Sequence, residues 1–303
     1  MQPAAQRRCS WIVCSMAVAL VLVCCGAPAL ADEKPTAQDL EAGLTYKTGK
    51  VVVGDGLATL DLGSGFRYLD PEQTERVLVE GWGNPPGNKT LGMIVPGDRS
   101  PLTEQGWGAI LTFEEDGYVD DEGAETIDYT ALLKEMQESA EKDNPERVKQ
   151  GYEAVRLVGW AEPPHYDKAS HKIYWAKDLQ FGEGGRTLNY NIQVLGRRGV
   201  LVLNAVAGID QLPAIRASMQ ELLPAVTFQE GHRYADYLPG KDKAAKYGVA
   251  ALVAGTLAAK TGLFKGLLAG LLAFKKGIVV GAAALAAFLR KRFRRDRDES
   301  ETV

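Results

Sequence analysis

Residues 187–207 read TLNYNIQVLGRRGVLVLNAVA, and this stretch decides the fold class. Two β-rich runs, Thr187 to Leu195 and Val200 to Ala207, flank Gly196-Arg197-Arg198-Gly199, whose glycines and length fit a tight hairpin turn. Upstream, Val155 to Trp160 and Lys172 to Trp175 read as further strands, and nothing helical separates any of these runs. A doubly wound parallel sheet needs helices in regular alternation with its strands. The pattern therefore predicts an α+β domain with a mostly antiparallel sheet and helices packed on one face.

The remaining elements surround this core. Val51 to Val53 and Ala58 to Leu62, broken by Gly54 and Gly56, predict an early hairpin. Asp70-Pro71 supplies an N-cap and a proline at the first helical position, opening a helix that stops near Gly81. Strands are expected at Leu91 to Val95 and Ala109 to Phe113. Asp128 caps a long helix with Leu132, Leu133 and Met136 on one face, ending before Asn144-Pro145. A last helix spans Asp210 to Leu223, followed by a short strand at Val226 to Phe228.

Both ends of the chain speak of an envelope. Arg7 and Arg8 precede an apolar run from Trp11 to Cys25, and Ala29-Leu30-Ala31 offers a small-x-small cleavage site before Asp32 and Glu33. Residues 1–31 are thus predicted to be a cleaved signal peptide. Cys9, Cys14, Cys24 and Cys25 all lie inside it, so cleavage after Ala31 leaves no thiol for a disulfide, a thiolate metal site or a cysteine nucleophile. An uncleaved anchor and lipidation of Cys24 or Cys25 are the competing readings, disfavoured respectively by an apolar run shorter than the ~20 residues a span needs and by the neighbours Val23 and Cys24.

Charge is divided unevenly along the chain. Residues 32–243 hold 22 basic and 35 acidic side chains, a net charge near −13, whereas residues 244–303 hold eleven basic and four acidic ones. An acidic domain without clustered Lys and Arg argues against nucleic acid as its partner. Residues 244–289 are apolar apart from Thr256, Thr261 and scattered lysines, and predict a glycine-rich membrane helix segment; residues 290–303 form a basic, then acidic, cytoplasmic tail. A single crossing places Arg290 to Arg297 inside and the domain outside, on the periplasmic side of a bacterial membrane. Lys260, Lys265, Lys275 and Lys276 keep open a helix lying in the interface. Projected from Lys246 as one continuous helix, the lysines and the glycines occupy opposite faces. Gly262, Gly266 and Gly270 then form a face suited to close helix packing, with a homo-oligomer or an envelope protein partner, while membrane lipid contacts the rest.

Candidate chemistry in the domain is sparse. Gly81-Trp82-Gly83-Asn84-Pro85-Pro86 and Gly159-Trp160-Ala161-Glu162-Pro163-Pro164 share the form Gly-Trp-x-x-Pro-Pro. They read as a stiff strand-exit turn used twice, or, with Tyr166 and Trp175, as an aromatic peptide-binding surface. The acidic run from Glu114 to Asp128 lacks EF-hand spacing, because a glycine at the sixth position, Gly123, puts Tyr118 where the first carboxylate belongs. His165, Asp167 and His171 are the candidate metal ligands, having the right residue types within seven positions. No nucleophile elbow and no phosphate loop is present, so no catalytic or cofactor-binding residue is assigned and no cofactor is expected.

The strings GWGNPP, FEEDGYVDDE, LVGWAEPPHYD, HKIYWAK, LNYNIQVLGRRGVLVLNAVA, RYADY and DKAAKYGVAALVAG resemble those of a bacterial family of membrane-anchored proteins, domain of unknown function 2167. The resemblance runs from about Val51 into the apolar C-terminal segment. It implies a membrane-anchored envelope protein and carries over no catalytic residue. The expectation is a protein-interaction or structural module of the envelope; the alternative is a metal-binding protein or hydrolase using His165, Asp167 and His171.

Overall fold

The computed structural model describes residues 36–255. The signal peptide, the glycine face at Gly262, Gly266 and Gly270, and the basic tail lie outside the described residues. In chain order the elements are α1 (Ala37–Ala42), β1 (Lys50–Val53), β2 (Ala58–Asp61), β3 (Phe66–Leu69), α2 (Pro71–Arg76), β4 (Gly92–Pro96), β5 (Ala109–Glu114), β6 (Tyr118–Asp120) and α3 (Tyr129–Lys149). There follow β7 (Val155–Asp167), β8 (Lys172–Phe181), β9 (Arg186–Leu195), β10 (Val200–Gly208), α4 (Leu212–Ala225), β11 (Val226–Phe228), β12 (Ala244–Gly248) and α5 (Val249–Ala254).

A seven-stranded sheet in the order β3-β4-β5-β10-β9-β8-β7 forms the centre of the fold. All its pairings are antiparallel. The hairpin read from residues 187–207 is β9-β10, in the register Leu195↔Val200 and Asn191↔Asn204. Its glycines are needed for close approach: a Cβ on Gly199 would stand 2.1 Å from the Glu114 carbonyl oxygen, and one on Gly196 2.6 Å from the Phe228 ring. β10 is the middle strand and is buried on both faces over most of its length, hence a run that is apolar except for Asn204.

Alternation along β10 divides the core. Leu201, Leu203 and Ala205 face a layer made of α4, through Ile215, Met219 and Leu222, and of the small sheet β1-β2-β11. Val200 and Val202 face the other way, with Ile173 and Trp175 of β8, and are covered by α5, by the start of α3 and by the parallel pair β12-β6. The expectation of helices on one face is thus corrected. Apolar residues on both faces of β8 and β10 demand two covering layers.

Three further expectations change. The long helix α3 runs through Pro145 to Lys149. Its last turns are clamped to the chain entering β7: Asn144 Nδ2 donates to the Val155 carbonyl at 2.9 Å, and Val155 N–H donates to Asn144 Oδ1 at 2.7 Å. Pro163-Pro164 does not end a strand; β7 carries it within three register shifts, which the outermost position in the sheet permits. Residues 244–254, read as the start of the membrane segment, belong to the domain as β12 and α5, where Val249, Leu252 and Val253 are buried. Gly255 closes α5 in the left-handed conformation, φ 73°, so one continuous helix from Lys246 does not form. Among the described residues no helix is long and apolar enough to cross a membrane.

Candidate functional site: a polar trough on the main sheet

On the face opposite α4, the middle strands gather polar side chains, at every second residue in β9 and singly elsewhere. β9 contributes Asn189, Asn191 and Gln193, β10 contributes Asn204, β8 contributes Lys177 beside Trp175, and β5 contributes Thr112 and Glu114. Ile110 and Val202 bound them, and Ala251, Leu252 and Gly255 of the α5 segment close over them, enclosing a cavity of about 80 Å³. That is room for more than one water.

The asparagines form a closed ring. Asn204 Nδ2 donates to Asn191 Oδ1 at 2.8 Å, Asn191 Nδ2 to Asn189 Oδ1 at 2.8 Å, and Asn189 Nδ2 to Asn204 Oδ1 at 3.2 Å. Strand register creates it, because Asn191 and Asn204 are direct cross-strand partners and Asn189 is two residues along the same face. Each amide uses one N–H and its oxygen, so the ring fixes the orientation of all of them.

Around this rigid ring lie groups without protein partners. Trp175 Nε1 and Gln193 Oε1 are buried and make no hydrogen bond, in side chains only 2% and 7% exposed. Lys177 Nζ lies 5.9 Å from the Trp175 ring centroid, and among the described residues no carboxylate pairs with it. Burial pushes its ammonium down to about 8. Burial, and then the nearby charge of Asp116, hold the Glu114 carboxyl above the usual range.

The residues singled out from sequence sit elsewhere and separate. His165 and Asp167 lie on one face of β7, with the His165 ring against Tyr174 at 5.2 Å between centroids. They border a second cleft with Lys172, whose buried ammonium donates to the Leu223 carbonyl near the end of α4. His171 turns to the other face, stacks on Tyr234 at 4.0 Å and places Nδ1 3.2 Å from Asp121 Oδ2. Tyr166 donates its hydroxyl to the same carboxylate. Burial raises the Asp121 carboxyl, but the Tyr166 and Tyr234 hydroxyls and His171 outweigh it and leave it below its ordinary value. Among the described residues no group of three or more His, Cys, Asp or Glu is placed to hold a metal ion.

The acidic run is likewise dispersed. Asp116 accepts from the Tyr247 hydroxyl at 2.7 Å, and Asp128 caps α3. The paired Gly-Trp motifs part company too, each indole donating to a backbone carbonyl: Trp82 to Pro101 at 3.0 Å and Trp160 to Tyr129 at 3.1 Å. Trp82 packs in one core cluster, while Trp160, Tyr166 and Trp175 pack in another. No aromatic surface gathers all of them.

The trough was missed in the sequence although its signal was present. Asn189, Asn191 and Gln193 alternate with Tyr190, Ile192 and Val194, a polar comb on one face of a strand that is otherwise core. What the sequence does not show is that β5 and β8 bring Glu114 and Lys177 to the same face.

Among solved structures, the solution structure of cyanobacterial PsbP from Synechocystis sp. PCC 6803 aligns at 6% identity and a TM-score of 0.35, covering 61% of this chain and 94% of that one. The crystal structure of LpqN, involved in cell envelope biogenesis of Mycobacterium tuberculosis, aligns at 14% identity and a TM-score of 0.29, covering 65% of this chain and 99% of that one. No curated relative matches the chain. The family model of DUF2167, protein of unknown function, matches residues 45–286 and so takes in the hairpin, the trough and α5 together: the chain belongs to that family.

Proposed function

We propose that this chain is a membrane-tethered protein of the bacterial envelope whose domain stands on the extracytoplasmic side and acts by binding, with the trough as its binding site. The observation that carries the reading is the pair of buried, unpartnered atoms Trp175 Nε1 and Gln193 Oε1 at a polar cavity. A buried donor or acceptor left unmatched costs about 1–3 kcal/mol, a cost that a bound molecule removes. The predicted signal at residues 1–31 and the apolar, lysine-bearing stretch beyond Gly255 support the location. In this reading the glycine face at Gly262, Gly266 and Gly270 engages a partner helix or a second copy within the membrane. Metal or hydrolytic chemistry at His165, Asp167 and His171 draws no support from a geometry that sets them on two faces.

Native mass spectrometry of the full chain extracted from its own membranes tests the reading. The wild type is expected to carry a small bound molecule that is absent from folded Trp175→Phe and Asn191→Ala variants. Equal masses of bound material in wild type and variants would place binding elsewhere.

A further inference from the structure

Several hydrogen-bond donors of the trough have no acceptor among the described residues. Within the asparagine ring, Asn189 and Asn204 each spend one amide N–H and keep the other without an acceptor among the described residues. Trp175 Nε1–H is buried with no acceptor, and the Lys177 ammonium next to it has no carboxylate partner among the described residues. Against these stand Gln193 Oε1 and, on β5, the Thr112 hydroxyl and the Glu114 carboxylate. The element that closes the trough adds no charge, since Ala251, Leu252 and Gly255 are what it presents.

Resting on the reading of the trough as the binding site, we propose that its ligand is a small oxyanion, a carboxylate or a phosphate, held by the Lys177 ammonium, the Trp175 indole N–H and the free amide N–H groups of Asn189 and Asn204. Such a ligand brings only acceptors and a negative charge, matching the unpartnered N–H groups and the Lys177 cation at that end of the trough. It also supplies the Lys177 ammonium with an anionic partner, and charge-assisted hydrogen bonds are stronger than neutral ones. The domain as a whole is acidic, with 35 acidic against 22 basic side chains over residues 32–243. The cavity of about 80 Å³ limits the bound portion to a few heavy atoms. The pH response follows from the groups facing the cavity. Lys177, with its ammonium lowered to about 8, loses its charge as pH rises through that value, and Glu114 gains one over its own range, so affinity falls toward alkaline pH.

The test uses the full chain in detergent with its tryptophans labelled with 15N, the Trp175 indole resonance being identified by its loss in Trp175→Phe. Acetate and inorganic phosphate are the probes, and acetamide is the neutral match to acetate. Saturable shifts of the Trp175 resonance with acetate or phosphate, and none with acetamide, are expected, and whichever anion binds more tightly identifies the source. Lys177→Gln, which keeps a donor but no charge, is expected to weaken the anion at least tenfold and to abolish the part of the pH dependence centred near 8. If acetamide shifts Trp175 as acetate does, or Lys177→Gln binds the anion as tightly as wild type, the oxyanion assignment falls while the trough stands as a site. If none of the probes moves the Trp175 resonance, the trough reading falls with it.

Discussion

At the scale of single residues, the asparagine ring makes amides depend on one another. Truncating Asn191 removes the acceptor of Asn204 and the donor to Asn189 at once. Asn191→Ala is expected to lower unfolding free energy by about 1–3 kcal/mol, because partners remain buried and unmatched. A double-mutant cycle with Asn204→Ala should show strong coupling, since the second truncation removes groups the first had already orphaned. Urea denaturation measures both, and additive losses would mean that the ring does not act as a unit. Asp121 behaves differently because it titrates. Its carboxyl is held below its ordinary value in the fold, so its contribution is complete above the unfolded value of about 3.9 and is lost as pH falls through the lower folded value. Denaturation midpoints for Asp121→Asn should therefore fall less steeply than wild type in that acidic window, and parallel curves would assign the acid sensitivity to other groups.

At the scale of elements, the β-strands were legible where polar and apolar side chains alternate, as in β9, or where a turn is built from Gly196 and Gly199. Helix α3 was legible at its Asp128 cap and illegible at its end. Asn144-Pro145 reads as a stop, yet the Asn144 side chain ties the helix to Val155 across a gap of eleven residues. Local pattern cannot register such a contact. Asn144→Ala is expected to fray the last turns of α3 and expose the Val155 amide, giving faster hydrogen exchange there and a loss of about 1–2 kcal/mol. Unchanged exchange at Val155 would mean that Arg147, which donates to the Glu153 carbonyl at 3.3 Å, holds the junction alone. β7 was misread for a related reason. Paired prolines end most strands, but an outermost strand has a side that needs no donors. Elsewhere the same Gly-Trp-x-x-Pro-Pro letters lie in a loop, so the motif's meaning depends on what its neighbours do.

At the scale of the whole molecule, composition hid the domain boundary. Residues 244–254 are as apolar as a membrane helix would be, and only the docking of Val249, Leu252 and Val253 onto the Trp175 side of the sheet shows that they belong to the domain. A chain ending at residue 255 should keep a cooperative unfolding transition, whereas one ending at residue 243 uncovers Ile173, Trp175, Val200 and Val202. Each large apolar side chain so exposed forfeits about 1.5–3 kcal/mol. The shorter chain is expected to bind a hydrophobic dye and melt at lower temperature; identical melting would mean that α5 does not stabilise the domain. The trough was illegible at this scale too, because its walls come from strands far apart in sequence. Its middle seam joins residues 109–114 to residues 200–205, and that pairing has a consequence for how the protein is made. A chain that emerges from its N-terminus presents β3, β4 and β5 with the inner edge of β5 bare until β10 arrives, so the central sheet cannot close before some two-thirds of the polypeptide has been delivered. Any nascent chain shorter than that carries an open, apolar strand edge in search of a partner. Its survival is a matter of delivery speed and chaperone cover during synthesis.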